Sequence, residues 1–219
     1  MYANSAARRL AGLVVVLATL AVAAPAVAQE DELKPPAGWQ VRTDGGGHGG
    51  GDDMYFAEMP PGFHITTGPS AIFYDPGKTA SGSYRLESEI FLFDPGGRNE
   101  GFGVIFGARN LDSDDQAYSY FLIRRDGSCL IKRRDGGETT TVRGWDQQDA
   151  VLTWEQKADD DATVRNALVV EVSDSDVKFF VNDVEVATVP RSELHTDGIV
   201  GLRANHSVNL HVTGLEITE

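Results

Sequence analysis

From Met54 onward the chain repeats one device, a short run in which apolar and polar residues alternate, closed by turn residues roughly every 8 to 15 positions. Alternation of period two puts successive side chains on opposite faces of a strand, which commits such a chain to sheets rather than helices. Residues 83–93 set Tyr84, Leu86, Ile90 and Leu92 against Arg85, Glu87 and Glu89. Residues 102–108 align Phe102, Val104, Phe106 and Ala108. Further strands are predicted at 118–124, 128–133 and 138–143, with Asp126-Gly127 and Asp135-Gly136-Gly137 as turns. Leu168, Val170 and Val172 mark another. The clearest hairpin follows: Val177, Phe179 and Val181 face the same way as Val184 and Val186 across a two-residue Asn182-Asp183 turn. The last pair covers 198–203 and 207–217. There Val208, Leu210 and Val212 give way to Leu215 and Ile217, a parity switch at Thr213-Gly214 that predicts a bulge. Helical turns are expected only at 191–194 and around 147–150. A dozen or so strands in one domain, residues 54–219, imply an all-β, two-sheet antiparallel jelly-roll sandwich.

The N-terminus carries a different signal. Arg8 and Arg9 precede an apolar run over residues 10–22, and Ala26-Val27-Ala28 closes it, the order of a secretory signal peptide over residues 1–28. That run is shorter than the roughly 20 residues that span a bilayer, and no later stretch is long and apolar enough to cross one, so membrane insertion is not expected. The expected location is outside the cytoplasm, periplasmic or extracellular. Residues 29–53, with Pro35-Pro36 and a glycine tract around His48, read as a flexible leader. Removing residues 1–28 takes away two Arg and no acid, so the net charge moves from −14 to −16, 17 basic against 33 acidic residues. A field of that sign repels nucleic acid and anionic membranes. Cys129 is the single cysteine. Its strand-like setting, Ser128-Cys129-Leu130-Ile131, predicts a buried, inert thiol and no internal disulfide.

Two stretches resemble a known family. The first runs from Gly82-Ser83-Tyr84-Arg85-Leu86-Glu87-Ser88-Glu89 through a Gly-rich turn to Asn99-Glu100-Gly101-Phe102-Gly103-Val104. The second is Asp197-Gly198-Ile199-Val200-Gly201-Leu202-Arg203, followed by His206 and a final strand. Both are similar to segments of concanavalin A-like lectin/glucanase domains, and most of all to the 3-keto-disaccharide hydrolase-like domains of unknown function. The hairpin over residues 177–189 looks like that of laminin-G-like modules. Together the matches cover residues 63–217. The chain departs from the pattern at Glu100, where the family carries Ser, and at Arg203, where it carries Gln. The resemblance implies a jelly roll and a superfamily of lectins, glycosidases and adhesion modules, and it does not single out an activity.

Candidate chemistry is sparse. Glycoside hydrolysis needs two carboxyl groups flanking the scissile bond. Glu87 and Glu89, two apart on one strand, share a face, but the Glu-x-Asp-x-x-Glu pattern of family-sixteen glucanases fails at positions 89 and 92. Gly101, Gly103 and Gly107 are expected opposite Phe102, Val104 and Phe106, leaving either a trough bordered by Arg109 or room for large side chains from adjacent strands. Glu87 and Glu89 are expected on that same side. Tyr118, Tyr120 and Trp145 would offer planes for a sugar, and Glu89, Arg109 and Arg124 directional partners. His64 and His206 are further candidates. Asn110, Asp112 and Asp114 have the alternate spacing of a calcium loop. The glycine at its sixth position and the Glu at its twelfth are absent, so no metal or other cofactor is expected, with calcium the candidate were one bound. No His-x-x-x-His pair, nucleophile elbow or phosphate loop occurs. Three functions remain open: an exported carbohydrate-binding module, a glycoside-cleaving enzyme using Glu87 and Glu89, and a structural or adhesion module that docks on a protein partner.

Overall fold

A computed structural model describes residues 35–44 and 54–219. The expected signal peptide and the glycine tract with His48 lie outside the described residues. Among the described residues, fourteen strands form two seven-stranded antiparallel sheets. The front sheet runs β1 (Gln40–Thr43), β4 (Ala71–Ala80), β13 (Gly198–Ala204), β6 (Phe102–Arg109), β7 (Ala117–Ile123), β8 (Ser128–Asp135) and β9 (Glu138–Gln147). The back sheet runs β12 (Val184–Pro190), β11 (Asp176–Val181), β10 (Thr163–Val172), β5 (Tyr84–Phe93), β14 (Asn209–Thr218), β3 (Phe63–Thr66) and β2 (Tyr55–Glu58). This is the jelly-roll sandwich that the alternating pattern requires.

The inward residues of both sheets meet in one core. Leu86, Ile90 and Leu92 of β5 face Phe102, Val104 and Phe106 of β6. Phe179 of the back sheet bridges the layers, its ring 6.1 Å from Phe106 and 5.1 Å from Phe121. Burying each such side chain contributes about 2 kcal/mol, which a chain without a disulfide depends on. Cys129 joins this core, and burial pushes its thiol up to about 11. The inert thiol read from its neighbours is what the fold contains.

Local expectations hold where turn chemistry dictates them. Asn182 and Asp183 both take positive φ, 49° and 67°, the left-handed pair of a type I′ hairpin turn. Register shifts between Thr213 and Glu216, with Gly214 at φ 73°, make the predicted bulge. A 3-10 turn forms at Arg191–Glu193 as expected. The other expected helical turn, at 147–150, is instead a tight turn closed by the Val151 N–H on the Gln148 carbonyl at 3.0 Å. A 3-10 turn forms just beyond it, at Trp154–Gln156, because Gln156 Oε1 accepts from the Thr153 N–H.

The supposed leader needs a larger correction. Within residues 29–53, Gln40–Thr43 forms β1, paired in register with Thr43↔Ala71 through Gln40↔Tyr74. Val41 enters the core, and the Trp39 ring packs 5.5 Å from Phe56 and 4.6 Å from Phe63. The sandwich therefore begins upstream of Met54. A second departure is the outer face of the front sheet, which is not wet. Ile72, Tyr74, Ile105, Leu111, Tyr118, Tyr120, Leu122 and Leu130 make a second buried cluster there.

Candidate functional site

Register fixes who stands beside whom on that outer face. One row runs Arg42, Ile72, Arg203, Gly103, Leu122, Leu130 from β1 to β8. The next runs Gln40, Tyr74, Gly201, Ile105, Tyr120, Lys132. Gly103 has no side chain, and its strand lies between Arg203 on β13 and the tyrosines on β7. The Arg203 guanidinium thus crosses β6. Its carbon lies 5.2 Å from the Tyr120 ring centroid, and its Nη1 donates to the Tyr118 hydroxyl at 3.3 Å.

Arg203 is the centre of a cationic group. It is only 8% exposed, and it holds Asp44 bidentately, Nη1 to Oδ1 at 3.0 Å and Nη2 to Oδ2 at 2.6 Å. Arg134 Nη1 is 3.8 Å from the same carboxylate. Burial alone would raise the Asp44 carboxyl, but the hydrogen bonds and charge of Arg203, aided by Arg134, hold it below the usual carboxylate range. Gln116, with its amide oxygen turned toward them, accepts from Arg42 Nη2 at 3.2 Å and Arg134 Nη2 at 3.3 Å. Along the same face Arg124 stacks on Trp145, 3.6 Å from its ring centroid, and the Trp145 ring closes over Gly101. Asn205 lies against Gly101 as well, and its N–H donates to the Gly101 carbonyl at 2.9 Å. Arg203 Nε, Arg124 Nε and Asn205 Oδ1 are buried with no hydrogen-bond partner.

The expected site residues divide. Tyr118, Tyr120, Arg124 and Trp145 do share one face, with Gly103 among them. His206 sits at its rim, its Nδ1 3.0 Å from the Ser70 hydroxyl, and the Ser70 carbonyl accepts the Asp44 N–H. The open glycine trough is absent. A Cβ on Gly103 would lie 2.1 Å from the Phe121 carbonyl oxygen, and one on Gly107 would lie 2.2 Å from that of His195. These glycines let backbones approach and are covered rather than open. A bulge between Phe106 and Arg109, with Gly107 at φ 59°, also breaks the alternation. Arg109 therefore leaves the row and donates to His195 Nδ1 at 3.2 Å, while His195 Nε2 donates to Asp135 at 2.7 Å.

Glu87, Glu89 and His64 lie elsewhere. β5 belongs to the back sheet, so the carboxylates face away from the sandwich on the side opposite Arg203. They line a cavity of about 290 Å³ with Pro61, Thr213 and Glu216. Arg165 and the Thr213 hydroxyl bind Glu89, and the Arg165 hydrogen bond holds its carboxyl below the usual range. Glu87 pairs with Arg85 at 3.1 Å. An ionised, paired Glu89 is unsuited to general-acid work. His64 faces its cross-strand partner His211 and packs between Tyr55 and Phe93. In the β6–β7 loop Asn110 adopts φ 54° and its carbonyl accepts from the Ser113 N–H. Asp114 reaches back to Arg42 at 3.7 Å. Among the described residues no group of three or more His, Cys, Asp or Glu side chains converges on one point.

Sequence reasoning missed Arg203 and Asp44. The departure from Gln at position 203 was the available signal for the first. Asp44 gave none, standing beside a glycine tract.

No family model matches this sequence, and no curated protein does. Solved structures do match its fold. The carbohydrate binding module CBM66 from Bacillus subtilis superposes with a TM-score of 0.59 at 14% identity, covering 83% of this chain and 96% of that one. A Bacillus subtilis protein of unknown function with a galectin-like fold gives 0.59 at 9% identity, over 82% and 88%. A Bacteroides ovatus mixed linkage glucan GH16 protein, in complex with G4G4G3G product, gives 0.56 at 11% identity, over 85% and 97%.

Proposed function

The chain has the concanavalin A-like jelly-roll fold, and on that premise we propose that it is an exported glycan-binding module whose site is the outer face of the front sheet. The observation that carries this reading is the group around Arg203. Aromatic planes (Tyr120, Trp145), forked donors (Arg203, Arg124) and buried polar atoms without partners stand together on one sheet face. Saccharides are recognised by that combination of flat apolar surface and directional polar groups. Tyr118 and Tyr120 are buried, so Trp145 with Arg124 is the accessible platform and Tyr120 the floor. Lectins, carbohydrate-binding modules and glucanases share the fold, which supports the class of ligand without selecting one.

The protein acts without cleaving its ligand. The two carboxylates considered for catalysis are both ion-paired and lie on the other sheet. Export rests on the basic, apolar and small-residue order of residues 1–28. The test is a glycan array probed with the purified protein, with product analysis of every hit. Binding without products, weakened at least tenfold by Trp145→Ala, is the expected result. Turnover that disappears in Glu89→Gln would overturn it in favour of a glycosidase. Silence across the array would favour a protein-docking module.

A further inference from the structure

We propose that the preferred ligand is an acidic saccharide, one ending in a uronic acid, and that its carboxylate takes the place Asp44 holds on Arg203 and Arg134. The inference rests on the glycan-binding reading above and adds the chemical class of the ligand. Its first support is shape. Two parallel N–H···O bonds at 3.0 and 2.6 Å are the fork by which a guanidinium recognises a carboxylate, and Asp44 shows that the fork fits one. Asp44 itself is exposed and follows β1, an edge strand of four residues. It is an internal occupant of a position that a ligand carboxylate reaches from solvent.

The second support is charge. The chain carries 33 acidic and 19 basic residues, yet this face gathers Arg42, Lys132, Arg134 and Arg203, with Arg124 beside Trp145. Against them stand Asp44 and the fully exposed Asp114, with Asp126 near Arg124 and Asp112 near Tyr74. Gathering five cations against four carboxylates, in a chain this acidic, leaves a local positive excess that an anionic ligand matches better than a neutral sugar does. Lys132, beside Tyr120, has no ion-pair partner among the described residues. The third support is independent of charge counting. Arg203 Nε and Arg124 Nε are buried donors left unpaired, and Asn205 Oδ1 is an unpaired acceptor. Each such group was taken from water without a replacement partner, a penalty that an incoming ligand's oxygens and hydroxyls offset. The rest of the surface is strongly acidic and repels a long polyanion, so the site suits a single or terminal uronate rather than a continuous acidic chain.

The test compares matched probes: oligosaccharides ending in glucuronic or galacturonic acid, and the same oligosaccharides ending in glucose or galactose. Affinities are measured by calorimetry on the purified protein and on Asp44→Asn and Arg203→Gln, with each variant's fold checked by thermal unfolding. The wild type should bind a uronate-ended probe at least tenfold more tightly than its neutral partner. Asp44→Asn should tighten uronate binding several-fold by removing the internal competitor, and Arg203→Gln should abolish the preference. Equal or tighter binding of the neutral probes overturns the inference and leaves the glycan-binding reading standing. A folded Asp44→Asn with unchanged uronate affinity overturns the displacement. No binding of any glycan by wild type or Asp44→Asn overturns both readings.

Discussion

Asn166 is a polar residue, 1% exposed, on a strand that faces the core, and its amide explains why it is tolerated there. Its Oδ1 accepts from the Leu152 N–H at 2.8 Å and from Asn182 Nδ2 at 2.9 Å, while its Nδ2 donates to the Leu152 carbonyl. One side chain thus ties the segment before the first 3-10 turn to the hairpin turn. Asn166→Leu keeps the branched shape but leaves the Leu152 N–H and carbonyl unpaired, while Asn182 Nδ2 retains the Ala150 carbonyl, and it should lower stability by about 2 kcal/mol in urea unfolding. A loss under about 1 kcal/mol would mean that those groups reach water. At this scale the sequence is legible only where a residue breaks a pattern. Arg203 departs from the Gln of the family the chain resembles, a break in pattern that marks the position without saying what the arginine meets. Asp44 carries no such mark, because nothing in a Thr-Asp-Gly run says that its carboxylate meets an arginine 159 positions away.

Alternation placed β5, β6, β7 and β11 to within a residue or two, because burial on one face leaves a clear period. By contrast, β9 and β10 run four and five residues beyond the expected bounds, where the alternation fades. The strands before residue 83 were not legible. β1 is four residues long between a proline pair and a glycine tract, and β4 holds Pro76 and Gly77 in its second half. Pairing with β13, an element more than a hundred residues away, makes a strand of β4. The β11–β12 hairpin was the easiest element to read, since its turn chemistry is local. Asp183 nevertheless occupies φ 67°, where glycine is the favoured second residue of a type I′ turn. Asp183→Gly should therefore raise stability by about 0.5 kcal/mol in the same unfolding measurement. A decrease would show that the Asp183 side chain contributes more than its backbone costs.

Across the whole molecule, alternation says which side of a strand is dry but not which sheet the strand joins. That is why Glu87 and Glu89 were expected beside Arg109 and lie instead across the sandwich from Arg203. It is also why a second buried face was unforeseen: β7 reads as seven apolar or small residues, and only its partners reveal that both of its sides are covered. Titration is another property of the whole. Burial, then the neighbouring His211, holds the His64 imidazole below its ordinary 6.5. Asp44, Asp126 and Asp135 sit below the usual carboxylate value because their hydrogen bonds and ion pairs outweigh burial, and Glu89 does so through Arg165. All of these groups bind protons more readily when unfolded, so each contributes stability that is complete above its ordinary value and lost on acidification. The thermal midpoint should fall in two stages, one beginning near pH 6.5 and one below about pH 4. His64→Gln should remove the upper stage; a midpoint flat from pH 7 to 5 in the wild type would refute it.

Cys129 gives the molecule a clock. Its sulfur is sealed between the two sheets and carries its proton at any ordinary pH, so a thiol reagent in solution meets nothing to attack while the layers stay together. Each time they part, the only thiol in the chain becomes visible. The rate at which a coloured disulfide reagent consumes it counts those openings one molecule at a time, with no label or engineered residue required.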